Sequence, residues 1–306
     1  MNCKTSCIIV TYNALRNNWL QKCLDSLTNS SYETDIILVD NASTDGTTKI
    51  VKEHYPNTIL IESKENLGFA KANNIGIKKA IENDTDYFFL LNQDAWVEPN
   101  TIEKLIKSFE KNNEYGIISP IHLNGSGDLL DFAFLNYISN PEDEGRSLYT
   151  DLLKNNNLKD IYSVNFINAA AWLLSKECIE KVGFFDDVLF NHYNEDLNYT
   201  QRVHFHKMKI GIVPNTFIYH DREERKGQKA KNTFLKDEKK YSFISKYSNI
   251  LDGDFEEKAR QEIKQIGKNL NYFRKRLKFR EIKEIIQKQQ EYTTLLDLII
   301  KQRNTY

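Results

Sequence analysis

Four apolar runs in the first hundred residues end on polar or acidic side chains. The clearest is YFFLLN, residues 87–92, a segment suited to a buried strand that stops at Asn92 and is soon followed by Asp94. The four tips supply Thr11, Tyr12 and Asn13; Asp40; Asn66, Gly68, Phe69, Lys71 and Asn73; and Asn92 and Asp94. Ligands of open parallel α/β sheets bind beyond the carboxyl ends of the strands. Amide and carboxylate oxygens gathered there predict a pocket for a nucleotide and a cation.

Each of these residues has a simpler interpretation when it is considered alone. Asp40 can be a turn residue, Gly68 a backbone hinge, and Asp94 a cap for the helix expected after Pro99. All of these interpretations would have to hold together at one edge of one sheet. We therefore favour the pocket.

The elements that would position these residues alternate between strand and helix. Apolar runs at 6–12, 35–40, 58–63 and 87–92 predict strands, and segments such as WLQKCLDSL between them have helical spacing. The short connections between these alternating strands and helices predict an α/β fold, with a Rossmann-like, mostly parallel sheet flanked by helices. Residues 1–121 form the expected binding half. A second half at 122–225 has expected strands at 164–175 and 209–220.

The chain from 226 to 306 has a different, helical pattern. Its apolar positions repeat at alternating intervals of three and four: Ile263, Ile266, Leu270, Phe273 and Leu277. We expect an appended helical extension. Its basic stretch KNLNYFRKRLKFR is suited to anionic lipid headgroups. The simpler alternatives are a solvated helix face, or a contact between two copies of the chain along the apolar stripe.

The charge balance excludes one broad class of protein. The 306 residues include 42 basic and 43 acidic side chains, so the formal net charge is -1. A nucleic-acid-binding protein would usually be visibly basic. We find neither a signal-peptide pattern nor an apolar stretch near the ~20 residues that span a bilayer. We therefore expect a soluble, cytoplasmic protein, at the inner face of the membrane if the basic stretch binds lipid. The four cysteines lack zinc or disulfide spacing and are expected to be ordinary thiols.

Several motifs, taken in order, resemble one enzyme family. IIVTYN, VDNASTDGT, ENLGFAKANNIG and LLNQDAWV are similar to motifs of the family 2 glycosyltransferases with the GT-A fold. The bacterial rhamnosyltransferase-like branch, which builds surface polysaccharides, is the most similar. VGFFDDVLFNHYNEDLNYTQR resembles the acceptor-side block of the family, and IYH at 218–220 resembles its late histidine. The resemblance spans residues 6–221 and leaves out the helical extension.

The resemblance implies a site for a nucleoside diphosphate sugar with uracil or thymine as its base. Its donor-binding residues would be Thr11, Tyr12, Asn13, Asp40, Asn66, Gly68, Phe69, Lys71, Asn73, Asn92 and Asp94. Asp40 would accept the imide N–H of the base in a charge-assisted hydrogen bond. Asn92 would lie near the ribose.

A divalent cation, Mn²⁺ or Mg²⁺, is implied beside the two phosphates. Its protein ligands would be Asp94 and His220, because hard cations prefer oxygen and manganese accepts mixed oxygen and nitrogen ligands. The family often has Asp-x-Asp where this chain has Asn92, Gln93 and Asp94. Whether Asn92 contacts the metal or the ribose stays open.

The resemblance also implies the catalytic groups. Asp196 would be the general base that removes a proton from the acceptor hydroxyl, and Glu195 would orient the acceptor. Capping of a helix that begins nearby is their alternative role. The expected outcome is inversion at the anomeric carbon by direct displacement, with a glycan or a lipid-linked molecule as acceptor. Trp172 would stack on a sugar face or belong to the core.

One rival function belongs to another class. A carbohydrate- or nucleotide-binding relative without catalytic activity would be expected to lack Asp94, Asp196 or His220. The sequence contains all three. We therefore favour an enzyme.

Overall fold

The structure is a computed structural model that describes residues 3–190, 193–222 and 238–306. Nine strands form one mixed sheet in this part of the chain. They are β1 (Thr5–Thr11), β2 (Asp35–Asp40), β3 (Ile59–Glu62), β4 (Tyr87–Asn92), β5 (Ala95–Val97), β6 (Tyr115–Asn124), β7 (Tyr162–Ser163), β8 (Ala171–Ser175) and β9 (Lys209–His220). The order across the sheet is β3-β2-β1-β4-β8-β6-β9-β5, and β7 pairs with β9.

Twelve α-helices accompany the sheet in the described residues. They are α1 (Trp19–Thr28), α2 (Thr47–His54), α3 (Gly68–Glu82), α4 (Thr101–Lys111), α5 (Phe132–Ile138), α6 (Gly145–Lys154), α7 (Lys176–Val182), α8 (Glu195–Phe205), α9 (Glu238–Tyr247), α10 (Phe255–Ile266), α11 (Leu270–Lys275) and α12 (Phe279–Arg303). The prediction of an α/β sheet flanked by helices, with a helical region at the end of the chain, is confirmed. The division at residues 225 and 226 lies outside the described residues.

The first half of the sheet is parallel, as the strand and helix alternation predicts. β1 pairs in parallel with β2 on one side and β4 on the other, and β2 pairs in parallel with β3. Apolar residues of these strands are buried on both faces, because helices cover both sides. Gly76 of α3 lies so close to Ile8 that a Cβ there would meet the Ile8 side chain at 2.4 Å. The polar tips of β1, β2 and β4 consequently end at one edge.

The second half is mixed and joins distant parts of the chain. β8 is antiparallel to both β4 and β6, whereas β9 is parallel to β6 and antiparallel to β5. The strand expected over 164–175 is shorter than predicted, because only 171–175 pairs with neighbouring strands. Residues 165–170 instead approach the site described below.

The helical extension packs against the second half instead of standing apart from it. Phe243, Tyr247, Tyr292, Leu296 and Ile299 form an apolar cluster with Leu189 and Phe190. The Arg303 guanidinium donates hydrogen bonds to the backbone carbonyls of Tyr247, Asn249, Ile250 and Asp252. The extension therefore supports the loop that precedes α8.

Truncation of Leu296 tests whether this cluster stabilises the protein. Leu296 is fully buried, so Leu296→Ala is expected to lower the free energy of unfolding by about 2–5 kcal/mol, as cavity-forming changes do. Urea denaturation measures the change. Leu153, which is 86% exposed, supplies the matched control, and Leu153→Ala should change stability by less than about 0.5 kcal/mol. Equal effects of the two variants would contradict the packing.

Candidate active site

Asp40 is held at the end of β2 by the neighbouring strand and by its own turn. Thr11 Oγ1 donates to Asp40 Oδ1 at 2.9 Å, and the Ser43 backbone N–H donates to Oδ2 at 2.9 Å. Thr11 and Asp40 are paired residues of β1 and β2. Because Thr11 is fully buried, it orients the carboxylate from below instead of facing the edge of the sheet.

The residues after β1 are tied to the same edge. Asn13 has a left-handed backbone, with φ of 50°, and its side-chain oxygen accepts a hydrogen bond from the Thr44 N–H at 2.8 Å. The Tyr12 N–H donates to Gln93 Oε1 at 2.7 Å. The tips of β1, β2 and β4 are thereby linked to each other, and the half-exposed Tyr12 ring is available to a ligand.

The turn before α3 is organised around one amide. Asn66 Oδ1 accepts from Asn41 Nδ2 at 2.9 Å and from the Gly68 N–H at 3.0 Å. Gly68 has a φ of 80°, a conformation that glycine adopts at little cost. Phe69 follows and faces the cleft described below, and the Lys71 side chain is exposed.

Two predicted contact residues lie in the interior instead. Asn73 is 2% exposed and donates to the Phe69 carbonyl at 3.0 Å within α3, and its contact with a donor stays a prediction. Trp172 is fully buried and stacks on Phe185 with 6.2 Å between ring centroids. β8 points the Trp172 side chain into the core, which is the second of the two roles expected for it.

Asp94 and His220 face each other where β5 pairs with β9. Asp94 precedes Ala95, whose register partner is His220. The Asp94 Oδ1 and His220 Nε2 atoms are 3.5 Å apart, with the side chains 1% and 0% exposed. Cis ligands on one octahedral ion with bonds of roughly 2.1 Å lie about 3 Å apart. The pair therefore fits two ligands of one divalent cation.

The two neighbours of the His220 ring have opposite effects on cation binding at Nε2. Arg222 Nε donates to His220 Nε2 at 3.3 Å, which directs the lone pair of that nitrogen toward a positive charge. On the other side of the ring, Asp131 Oδ2 lies 3.8 Å from His220 Nδ1. A carboxylate behind a histidine ligand is a common arrangement at metal sites. The Arg222 guanidinium thus lies at the Nε2 lone pair of His220, which is the lone pair that a metal ion would use.

A cleft of about 600 Å³ opens beside this pair. Its walls are Phe69, Asn92, Tyr137, Phe166, Asn168, Ala169, Ala170, Tyr193, Asn194, Glu195, Asp196, Leu197 and Arg222. Among the predicted residues, Asn92 and Phe69 come from the donor side, whereas Glu195 and Asp196 come from the first turn of α8. The cleft thus joins the two halves of the sheet.

The two acids of the cleft have perturbed proton affinities. Burial, reinforced by the adjacent Asp196 charge, raises the pKa of Glu195 to about 8. Burial also raises the pKa of Asp196, but backbone N–H groups of Leu197 and Ala169 and the charge of Arg222 act in the opposite direction. Both carboxyl groups of the cleft therefore hold their protons more tightly than they would in water, and with a pKa of about 8 Glu195 is mostly neutral at pH 7.

Sequence reasoning missed Arg222 of this site and also a hydrogen-bonded link, made by Asn74, between distant parts of the chain. Arg222 contacts both His220 and the cleft, and its place two residues after the predicted ligand was the available signal. Asn74 makes paired hydrogen bonds with the backbone of Phe185, at 2.9 Å in each direction. Such a link between distant segments leaves no local pattern in the sequence.

The fold and the cleft together define a class of proteins. A parallel Rossmann-like half joined to a mixed half, with helices on both faces, is the GT-A fold. Two solved structures share it: TarS of S. aureus with UDP-GlcNAc (TM-score 0.52, 15% identity, 72% of this chain and 58% of that chain), and the mannosyltransferase PcManGT of Pyrobaculum calidifontis with GDP-Man and Mn²⁺ (TM-score 0.54, 17% identity, 85% and 65%).

The sequence gives the family directly. The model of glycosyl transferase family 2 matches residues 6–183, and the chain belongs to this family. It is similar to the glycosyltransferase GlyA of Streptococcus pneumoniae, with 28% identity over 223 residues. That match covers 71% of this chain but only 30% of the length of GlyA.

The raised pKa of Glu195 predicts a pH dependence of stability. The unfolded side chain has a pKa of about 4.3, so between about pH 4 and about pH 8 the folded state retains a proton that the unfolded state releases. Stability from this group therefore falls as pH rises through that range, by on the order of a few kcal/mol, and levels off above it.

Urea denaturation from about pH 5 to about pH 9 tests this dependence. Glu195→Gln should flatten the decline and be more stable than wild type at the alkaline end. The exposed Glu180 supplies the matched control, so Glu180→Gln should keep the decline of the wild type. A Glu195→Gln profile parallel to that of wild type would contradict a buried, proton-retaining Glu195.

Proposed function

We propose that the protein is an inverting, metal-dependent glycosyltransferase that transfers a sugar from a UDP- or dTDP-linked donor to a hydroxyl group. The observation that carries the proposal is the pair of Asp94 Oδ1 and His220 Nε2, which are 3.5 Å apart. Arg222, which contacts His220, also lines the cleft that contains Asp196. Membership of glycosyl transferase family 2 supports it, as do the nucleotide sugars bound to the two solved structures of this fold.

The donor is proposed to lie along the tips of β1, β2 and β4. Asp40 keeps acceptor capacity for the imide N–H of uracil or thymine, since each carboxylate oxygen has more than one lone-pair site. The exposed ring of Tyr12 would cover the base, and Asn92 would face the ribose. Lys71 has an exposed ammonium group suited to a phosphate. A hexose or rhamnose is the proposed sugar.

Asp94 and His220 are proposed to hold Mn²⁺ or Mg²⁺. When bound, such an ion supplies charge that neutralises the leaving diphosphate. An ion held there and the Arg222 guanidinium would compete for the Nε2 lone pair of His220. Arg222 would then face the cleft as a second positive group for the diphosphate.

Asp196 is proposed to act as the general base. Its carboxylate takes the proton of the acceptor hydroxyl as that oxygen attacks the anomeric carbon, and the bond to the diphosphate breaks on the opposite side. Glu195, neutral near pH 7, would donate a hydrogen bond to the acceptor and thereby orient it. The proposed acceptor is a glycan or a lipid-linked molecule, which would place the protein at the inner face of the membrane during polysaccharide synthesis.

Calorimetry with UDP and dTDP tests the donor and metal site. Wild type is expected to bind one of them in the presence of Mn²⁺, and Asp94→Asn should weaken that binding more than about ten-fold, or about 1.4 kcal/mol, because a charged ligand is lost. Asp84→Asn, at the exposed approach to the other end of β4, is the control and should bind like wild type. Metal-independent binding of equal strength in all three proteins would refute the metal site.

Replacement of Asp196 tests catalysis separately from binding. Asp196→Asn should reduce sugar transfer by about 10²–10⁴-fold, the usual contribution of a general base, while diphosphate affinity stays unchanged. The rate of donor turnover with and without acceptor measures the loss, and Asp128→Asn, a change at an exposed carboxylate, is the control. If Asp196→Asn retained the wild-type rate, another group would have to be the base.

A binding protein without catalytic activity is the second candidate. One observation favours it: Asn92 replaces the first acid of the motif that many relatives have. If the protein only binds its ligand, the wild type would bind the diphosphate together with the metal ion. It would nevertheless show no sugar transfer in the turnover assay described for Asp196.

A further inference from the structure

The corner between α11 and α12 combines positive charge with exposed apolar side chains. Residues 268–280, which we call the basic corner, contain six lysine and arginine residues and no aspartate or glutamate. The whole chain has a formal net charge of only -1. The basic corner therefore carries a local excess of positive charge, although basic and acidic residues nearly cancel over the whole chain.

The corner projects large apolar side chains into solvent. Leu277 is 70% exposed, Phe279 is 72% exposed and Tyr272 is 51% exposed. Leu277 has a left-handed backbone with φ of 54°, which turns the chain between the two helices. Every residue from 274 to 280 is exposed to solvent. The turn thus displays Leu277 and Phe279 instead of burying them.

The cations of the corner are only partly neutralised. Lys278 and Arg280 form exposed ion pairs with Glu281 and Glu284 of α12, at 3.2 and 2.9 Å, which contribute little in water. In the part of the chain that the structure describes, Arg274 and Lys275 have no acid within ion-pair distance. A partner of this surface must therefore be both anionic and able to accept apolar side chains.

We propose that the basic corner binds the surface of an anionic phospholipid bilayer. Lysine and arginine would contact headgroup phosphates while Leu277 and Phe279 enter the layer beneath them. A symmetric contact with a second copy is disfavoured, because it would oppose two sets of the same cations. Phe132 is an equally exposed aromatic residue, but the acidic residues Asp128 and Asp131 are close to it in the sequence. We therefore do not expect Phe132 to bind an anionic bilayer.

The position of the corner suits a lipid-linked acceptor, a consequence that rests on the proposed function. α12 begins at Phe279, and its Leu296 packs in the cluster with Leu189 and Phe190. At 1.5 Å per residue, these two points of α12 are roughly 26 Å apart. One continuous helix, α12, therefore begins in the basic corner and packs against the loop that leads into Glu195 and Asp196.

Vesicle sedimentation with the full chain tests the proposal. Wild type is expected to bind vesicles of phosphatidylcholine mixed with phosphatidylglycerol, to release them as salt rises, and to bind pure phosphatidylcholine weakly. Each cation near such a surface contributes about a five-fold factor in affinity. The double variant Arg274→Gln/Lys275→Gln should therefore bind about 25-fold less tightly.

A second pair of variants separates the apolar contribution from folding. Phe279→Ser should weaken vesicle binding, whereas Phe132→Ser, at a side chain that is 75% exposed, should leave it unchanged. Circular dichroism confirms that both variants fold. The proposal is overturned if wild type binds neither vesicle, if the corner variants bind like wild type, or if Phe132→Ser loses as much binding as Phe279→Ser.

Calorimetry of the same preparations with UDP, dTDP and Mn²⁺ keeps the two proposals distinct. If the protein binds a diphosphate but no vesicle, the proposal that the basic corner binds lipid is contradicted. The proposed transferase function is then unaffected. Protein that binds anionic vesicles through the corner but no diphosphate would contradict the transferase assignment alone.

Discussion

The pairing of β5 with β9 is the contact on which the rest of the site depends. β5 follows β4 directly, so Asp94 comes from the first half of the sheet, and β9 brings His220 from late in the chain. The Asp221 N–H donates to the Asp94 carbonyl at 3.0 Å and closes this junction. Removing a carboxylate from water is costly unless charge or hydrogen bonds compensate. The imidazole of His220, 3.5 Å from Asp94 Oδ1, is one group that can compensate this buried carboxylate, and the cation that we propose for the site is another.

The opposite wall of the cleft depends on packing from further along the chain. Asp186 accepts hydrogen bonds from the Val188 and Leu189 N–H groups, and its other oxygen accepts from the Tyr306 hydroxyl. These contacts fix the loop that follows α7, and α8 then begins with Glu195 and Asp196. The C-terminal helices consequently pack on the part of the molecule that leads into α8. Changes in their core would reach the acids through that loop.

Much of the edge formed by the tips of β1, β2 and β4 could be predicted, because strand ends have local sequence signals. An apolar run that stops on polar residues was enough to bring Thr11, Asp40 and Asn92 to one edge. Sequence motifs could not separate a cleft wall from the core, which is why the two alternatives for Trp172 stayed open until its burial was known. The role of Arg222 depends on neighbours from β9 and α5, and the packing of the last helices depends on Leu189 and Phe190. Those pairings have no short-range pattern.

The most direct test is a crystal structure of the protein with Mn²⁺ and UDP or dTDP, read by the anomalous scattering of manganese. We predict one strong peak at bonding distance from both Asp94 and His220, with the diphosphate on its open side and the Arg222 guanidinium moved away from His220. A peak elsewhere, or a bound diphosphate with Arg222 still on His220 and no manganese, would contradict the metal-dependent donor site.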